Sequence, residues 1–348
     1  MENGFYLLLG PRFKFDGKSS VSLNELQSDT RDALNRAIDD GGYDHVKTQC
    51  AVCKGSHFEG ISEKDRFGVR ISLVICRDCG LIHINPRLSE GSYADFYDTF
   101  YNGIHLGSEL DEKWYKGRYG KGEEIFSFLE TKGYLKGLRA KRVLEVGCAA
   151  GGIIHYFKDQ GFEVKGTDLS STRVDYGVEM YGLDLHHGGL DNLDIDERPD
   201  LIIYSHVLEH VPNLEKELAL IHDTLDDEGL VYIEVPGIKD LDRQHVDMLK
   251  TLQLAHVYYF SLRSLQNLME ANGFELLYGD EEIRSVFRKA KDPVPDDAII
   301  NDYQSVIEYL SALEDPLTKA LLLSRNHLLR LLEASGVLPI MQEAWRKI

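Results

Sequence analysis

The run Val143-Leu144-Glu145-Val146-Gly147-Cys148-Ala149-Ala150-Gly151-Gly152 constrains this chain more than any other stretch. A short apolar segment ends in a cluster of small residues, and Ile153-Ile154-His155-Tyr156-Phe157 follows. That order predicts a buried strand, a tight turn and a helix start. Small residues let a ligand approach the backbone, and the amides that open the helix face it. The next apolar segment, Glu163 to Thr167, runs into Asp168. An acidic residue about 20 positions beyond such a turn is placed to hydrogen-bond a ribose diol.

Two ligands suit this arrangement. A dinucleotide is one, because Gly147, Ala149 and Gly152 approximate a G-x-G-x-x-G fingerprint, with alanine where the middle glycine belongs. S-adenosylmethionine is the other, and Glu145 favours it. A carboxylate just ahead of the turn repels a pyrophosphate and suits an ammonium and a sulfonium. The stretch resembles motif I of the Rossmann-like S-adenosylmethionine-dependent methyltransferases, with Glu145 for the usual aspartate and Ala149 for the middle glycine. The resemblance implies a cofactor site made of Glu145, Gly147, Cys148, Ala149, Gly151, Asp168 and Leu169. Asp168 is expected on the ribose, and Leu190, in the turn after the third strand, beside the adenine. The thiol of Cys148 reads as packing within the turn.

Four of the five cysteines form two C-x-x-C pairs, Cys50 with Cys53 and Cys76 with Cys79. Two such pairs about twenty residues apart point to one tetrahedral Zn²⁺ rather than to disulfides. Four thiolates leave no open position, so the metal is expected to be structural. The alternating segment Val69 to Ile75 makes the unit a zinc-ribbon-like hairpin, and His83, inside an apolar run, reads as packed rather than ligating. The words that follow, Gly80-Leu81-Ile82-His83-Ile84-Asn85-Pro86-Arg87, resemble the N-terminal zinc module of bacterial deoxysugar C-methyltransferases and related glycan- and natural-product-modifying enzymes. In that group a tyrosine-rich helix comes next, here carrying Tyr93, Phe96, Tyr97, Phe100 and Tyr101. These aromatics read as a core face, or, by the resemblance, as cover for the active-site mouth. The polar, glycine-punctuated stretch from Tyr101 to Gly120 is expected to be a mobile lid.

Beyond it, strands are expected at 142–146, 163–167, 185–187, 200–205, 230–235, 274–278 and 282–288. Helices fall at about 120–134 and at 152–160, 171–181, 213–225 and 261–272. Gly161, Gly182 and Gly273 sit where helix-terminal glycines belong. The fold class is therefore α/β: a doubly wound seven-stranded methyltransferase sheet with an antiparallel edge hairpin. A small zinc-ribbon-like module precedes it and a helical hairpin follows. The expected units are 1–48, partly helical; 49–90, the zinc module; 91–138, connecting helices and lid; 139–290, the cofactor-binding domain; and 291–348, C-terminal helices. Pro293 and Pro295 introduce the last unit, Asp315-Pro316 opens its second helix and Gly336 closes it. Its leucine content predicts packing on the core or on another subunit, giving a possible homo-oligomer.

Ser205-His206-Val207-Leu208-Glu209-His210 ends the fourth core strand, where ligands sit in such sheets. The segment resembles the methyltransferase family's stretch after this strand, and the resemblance implies that Ser205 and His206 lie beside the methionine part of the cofactor. Glu209 and His210 either anchor the next helix or act in catalysis. A divalent metal on His206, Glu209 and His210 is a third reading, by likeness to some quinone-precursor and RNA-end methyltransferases. His256-Val257-Tyr258-Tyr259-Phe260-Ser261 resembles the sugar C-methyltransferase segment histidine-x-x-tyrosine-phenylalanine-serine, but Leu254 and Ala255 replace a histidine and a glutamate tied there to deprotonation at carbon. His256 remains a candidate base for a hydroxyl, ahead of His210.

The net charge of −19 over 348 residues is a poor match to a phosphate backbone or an anionic membrane. No apolar run reaches spanning length, and the first residues lack the basic flank of a signal peptide, so a cytoplasmic location is expected. The expected activity is S-adenosylmethionine-dependent O-methylation of a sugar, sugar nucleotide or glycan. Its rivals are a C-methyltransferase on a keto-sugar, a zinc-module RNA methyltransferase and a non-catalytic cofactor-binding scaffold.

Overall fold

A computed structural model describes residues 7–105, 111–291 and 299–334. Helix α1 (Glu25–Asp39) starts in a capping box: Asn24 accepts from the Gln27 amide, and the Gln27 side chain accepts from the Asn24 amide. Strands β1 (His45–Val46), β2 (Phe58–Lys64), β3 (Arg70–Cys76), β4 (Ile82–Ile84) and β5 (Arg87–Leu88) follow. Helix α2 (Glu90–Phe96) continues through a π-helical turn at Tyr97–Tyr101 into α3 (Asn102–His105), and α4 (Glu112–Thr131) comes next. The core then alternates: β6 (Arg142–Val146), α5 (Gly152–Asp159), β7 (Glu163–Asp168), α6 (Ser171–Tyr181), β8 (Leu185–His187), β9 (Leu201–Ser205), α7 (Leu214–Thr224), β10 (Leu230–Glu234). Helix α8 (Leu241–Gln244), strand β11 (Tyr258–Tyr259), helix α9 (Leu262–Glu270), strands β12 (Phe274–Gly279) and β13 (Arg284–Lys289) and helices α10 (Tyr303–Glu314) and α11 (Pro316–Ala334) complete it.

The large sheet has the order β12-β13-β10-β9-β6-β7-β8. Strands β8, β7, β6, β9 and β10 are parallel, while β13 runs antiparallel to both β10 and β12. Every residue of β9 and β10 is buried, which fits central strands covered by helices on both faces. The chain winds outward from β6 through β7 to β8, then returns to place β9 on the other side of β6. That reversal opens a crevice at the carboxyl ends of β6 and β9, where an α/β sheet of this type takes its ligand.

Three features differ from what the sequence suggests. The stretch taken for a lid is helical on both sides of residues 106–110, which lie outside the described residues. Helix α4 begins at Glu112, well before Gly120, because Asp111 accepts from the Trp114 amide at 2.6 Å and Lys116 pairs with Glu112 at 2.7 Å. Its glycines serve close packing: a Cβ on Gly122 would lie 2.4 Å from the Ile153 carbonyl oxygen, and one on Gly152 2.6 Å from Arg118 Cβ. The zinc-ribbon-like unit is also not self-contained. Its sheet, of order β11-β4-β3-β2, takes its edge strand from Tyr258 and Tyr259, far along the chain. Finally, α10 buries Val306, Leu310 and Leu313, whereas α11 leaves Leu317, Leu321, Leu323, Leu328 and Leu331 exposed. Pro293, Pro295 and Gly336 lie outside the described residues. None of the helices among the described residues is long and apolar enough to cross a membrane.

Candidate functional site

The Gly-rich turn connects β6 to α5 with Gly147, Ala149 and Gly151 all at positive φ, near +69°, +52° and +75°. Glycine takes this region without cost; Ala149 pays for its Cβ and stays because the turn is held from outside. The Gly147 and Cys148 amides donate to Thr167 O at 2.8 and 3.0 Å, and the Ala149 amide donates to Asp168 Oδ2 at 2.8 Å. These three amides are therefore spent on the end of β7, which leaves ligand-facing amides to the first turn of α5. Asp168 also accepts from the Ser170 amide through its other oxygen, so it braces the turn. Leu169 beside it is 77% exposed, while Leu190 is buried in the core. Cys148 is buried, its thiol donating to the Ala149 carbonyl, and burial pushes that thiol well up from its ordinary range. It packs between strands, and only its backbone belongs to the turn.

Glu145 is fully buried, and neither carboxylate oxygen has a hydrogen-bond partner. The nearest cation is Arg118 of α4, at 3.8 Å. Burial pushes the carboxyl up from its ordinary 4.5 to about 8, with Arg118 and the nearby Ile154 amide opposing. A buried carboxyl beside the turn with no hydrogen-bond partner of its own is the arrangement an ammonium satisfies.

The segment after β9 abuts this turn: a Cβ on Gly147 would fall 2.3 Å from the Val207 side chain. Ser205 ends the strand with a buried hydroxyl that has no partner. His206 takes a left-handed φ of 59°, sparsely populated for such a residue, and is half exposed. Glu209 is buried with both oxygens unpartnered, so its side chain anchors no helix; the cap of α7 is Asn213 instead. His210 and His256 lie against each other. Their rings meet edge to face, with centroids 4.6 Å apart. His210 Nδ1 lies 3.0 Å from the Ala255 carbonyl and 3.1 Å from the Tyr97 hydroxyl. His256 Nε2 lies 2.5 Å from Gln253 Nε2, and Gln253 Oε1 accepts from Arg66. Burial pushes both imidazoles below their ordinary 6.5, so both are neutral near pH 7.

Several parts of this cluster carry no local signal in the sequence. Tyr97 was placed with the aromatic face, and it is that face that reaches His210. Arg66, Gln253 and His105 join through long-range packing, His105 stacking on Tyr101 with centroids 4.3 Å apart and contacting Arg66. On the opposite side Lys121 of α4 pairs with Glu234 at 2.7 Å, and Glu234 faces His206 at 3.8 Å. A separate open cleft of about 280 Å³, lined by Arg142, Glu163, Lys165, Asp184 and Glu197, sits at the other ends of the strands, away from these residues.

The four paired cysteines converge. Cys50 and Cys79 Sγ are 3.4 Å apart, as are Cys53 and Cys76 Sγ, and all four thiols are free and lie within 4.8 Å of one another. A disulfide needs about 2.05 Å, whereas the edge of a tetrahedral thiolate site spans about 3.8 Å. Each pair ends in a left-handed residue, Lys54 at φ 58° and Gly80 at φ 84°, giving two matching knuckles. The donor set fits Zn²⁺. His83 is buried between Phe58 and Tyr258 and burial pushes its imidazole down to about 4, while exposed His57 pairs with Asp78.

Residues 121–278 match a family model described as a methyltransferase domain, a little under half of the chain. No curated protein matches significantly. Among solved structures, the 1,6-didemethyltoxoflavin-N1-methyltransferase of Burkholderia thailandensis is 19% identical, with a TM-score of 0.43 over 62% of this chain and 98% of that one. An S-adenosylmethionine-dependent methyltransferase of Clostridium acetobutylicum is 12% identical, with a TM-score of 0.39 over 57% and 99%. DesVI of Streptomyces venezuelae is 17% identical, with a TM-score of 0.37 over 59% and 100%. At these levels the likeness does not extend to substrate.

Proposed function

We propose that this chain, an S-adenosylmethionine-dependent methyltransferase, methylates a hydroxyl oxygen of a sugar, sugar nucleotide or glycan. The observation that carries the reading is the buried cluster of Glu209, His210 and His256 beside the Gly-rich turn. The unpartnered Glu145 carboxylate fits the cofactor's ammonium, Asp168 fits its ribose diol, and Leu169 and the turn at Leu190 fit its adenine. When bound, the cofactor supplies a methyl group activated on a sulfonium. The chain's part is to orient and to manage a proton. Glu145, Gly147, Ala149, Gly151, Ser205 and His206 are the residues that would hold the cofactor, and Tyr97, which meets His210 and packs on Tyr101, would cover the acceptor side. An acceptor hydroxyl entering there meets neutral imidazoles and a carboxylate, which favour loss of its proton. The absence of Glu and His at 254 and 255 supports oxygen over carbon as the acceptor atom.

Incubation with methyl-labelled S-adenosylmethionine and a panel of sugar nucleotides and glycans tests it, with NMR locating the new methyl on oxygen. His256→Ala and His210→Ala should lower kcat by about 10²- to 10⁴-fold with little change in cofactor affinity. Label arriving only on RNA, or only on carbon, would refute the reading. A structural Zn²⁺ on Cys50, Cys53, Cys76 and Cys79 belongs to the same proposal, supported by the spacing of their sulfurs. So does a homo-oligomer through α11, supported by its exposed leucines and tested by sedimentation equilibrium.

A further inference from the structure

Arg66 sits in the turn between β2 and β3, and its backbone is fixed from two directions. Its amide donates to the Leu252 carbonyl at 2.8 Å, and its own carbonyl accepts from the Ser20 amide at 2.8 Å. Asp65 beside it is buried, with its two oxygens accepting from the Phe67, Val69 and Leu254 amides. The turn is thereby tied to the segment that carries Gln253 and His256. A side chain rooted this firmly is in position before any ligand arrives.

The guanidinium itself is poorly provided for. It is half-buried, lies over the Phe67 ring at 4.6 Å, and bonds only through Nη2, to His105 Nδ1 at 3.4 Å and Gln253 Oε1 at 3.3 Å. Both partners are neutral, and both contacts are long for hydrogen bonds. Nε is buried without a partner, and Nη1 makes no hydrogen bond among the described residues. Carboxylates are not scarce, with 58 acidic side chains against 39 basic ones, yet none among the described residues forms an ion pair with Arg66. Asp65 attracts it only from a distance, and burial outweighs that attraction, pushing the guanidinium below its ordinary range. A charge drawn partly out of water without a counter-charge costs free energy, and arginine cannot shed its proton to escape.

Arg66 also belongs to a closed ring of contacts. Through Gln253 it joins His256 and His210, and through His105 it joins Tyr101 and Tyr97; Tyr97 and His210 meet and close the ring. Burial pushes the three imidazoles down and the two phenols up, so Arg66 carries the charge of this ring near pH 7. Glu209 comes to 3.9 Å from His210 and His256 but does not pair with Arg66. A second guanidinium, Arg173 of α6, acts with Arg66 on the Tyr101 hydroxyl. It lies 5.7 Å from the Trp114 ring and likewise forms no ion pair among the described residues.

We propose that Arg66 binds an oxyanion of the acceptor, so that the acceptor is an anionic sugar, carrying either a phosphate or a uronate carboxylate. The donors left over on Nε and Nη1 match the oxygens of either group, and the guanidinium is the side chain best suited to both. Arg66 would set specificity by binding, while the proton is handled elsewhere on the ring. That the anion belongs to a methyl acceptor rests on the methyl-transfer reading above; the anion site itself rests on Arg66 and its surroundings.

Calorimetry on the full-length chain saturated with S-adenosylhomocysteine tests it, with glucose 1-phosphate, UDP-glucose, glucuronate and neutral methyl glucoside as probes. At least one anionic probe should bind, and methyl glucoside should bind at least about 10-fold more weakly. Binding of the two phosphate compounds but not glucuronate assigns the anion as phosphate; the reverse assigns it as carboxylate. Arg66→Gln should weaken the anionic probe by about 10- to 150-fold and leave methyl glucoside unchanged. Arg66→Lys, which keeps the charge without the fork, should recover part of the loss. Arg139→Gln, at an exposed arginine paired with Glu228, should change nothing. Unchanged S-adenosylhomocysteine affinity reports that each variant is folded. If Arg66→Gln fails to fold, the wild-type preference among the probes and its change in Arg66→Lys decide. Equal binding of neutral and anionic probes, no binding of any anionic probe, or full-strength anion binding in Arg66→Gln overturns the proposal. Arg66-dependent anion binding without methyl transfer to any sugar would retain the site and overturn the methyl-transfer reading instead.

Discussion

Glu145 offers a prediction that can be worked from the structure. Its carboxyl is fully buried without a hydrogen-bond partner, and burial raises it from 4.5 to about 8. A group with a raised folded pKa contributes stability below its unfolded value and loses that contribution as pH rises through the folded one. The free protein should therefore lose stability between about pH 4.5 and pH 8, by on the order of a few kcal/mol for this group. At pH 7 the carboxyl is largely protonated. A cofactor ammonium seated against it favours the ionised form, so binding near pH 7 should expel up to about one proton. Calorimetry in buffers of different ionisation enthalpy reads that proton directly, using S-adenosylhomocysteine to keep the complex inert. Glu145→Gln keeps the shape and removes the titration. It should abolish the extra proton, flatten the pH dependence of stability and weaken binding by roughly 10- to 150-fold. Comparison with the variant separates Glu145 from the ligand's own amine. Identical proton release in both proteins, or tighter binding in the variant, would refute the reasoning.

Other expected outcomes concern the elements around the cofactor. Asp168→Ala removes the proposed ribose contact together with the acceptor for the Ala149 and Ser170 amides, and should weaken cofactor binding by at least about 10-fold in an equilibrium titration. Gly152→Ala drives a Cβ to 2.6 Å from Arg118 and 3.1 Å from the Tyr119 amide nitrogen, so α4 must shift; denaturant unfolding should show a loss of about 1–3 kcal/mol. Elemental analysis of protein purified without added metal should find one zinc per chain on the cysteines, and Cys76→Ser should lower the melting temperature; a Cys76–Cys79 disulfide in its place would oppose this.

The strands of the large sheet were legible because their apolar runs end at glycines and acidic residues with few competing signals. Gly182, at φ 59°, closes α6 where a left-handed residue must stand. The start of α4 was not legible. Gly117 and Gly120 read as loop punctuation, and only contact with α5 shows how closely this helix packs, with Ile153 against Gly122. Strand β11 is two residues long and owes its existence to β4, with Tyr258 opposite His83 and Tyr259 opposite Ile82. In the site, the Gly-rich turn and Asp168 are contiguous in pattern and were found. The pairing of His210 with His256, and the chain from His256 through Gln253 to Arg66, depend on three distant segments meeting. Likewise, spacing places Glu145 before the turn but cannot show that its carboxylate is buried without a partner.

The most direct measurement is a competition for the crevice between S-adenosylmethionine, its demethylated product and NADH, followed by equilibrium calorimetry on the full-length chain. The account predicts that both sulfur compounds bind one per chain and that NADH displaces neither, because the Glu145 carboxyl gives an ammonium a partner and offers a pyrophosphate no compensating positive charge. Binding of NADH with no binding of either sulfur compound would contradict it.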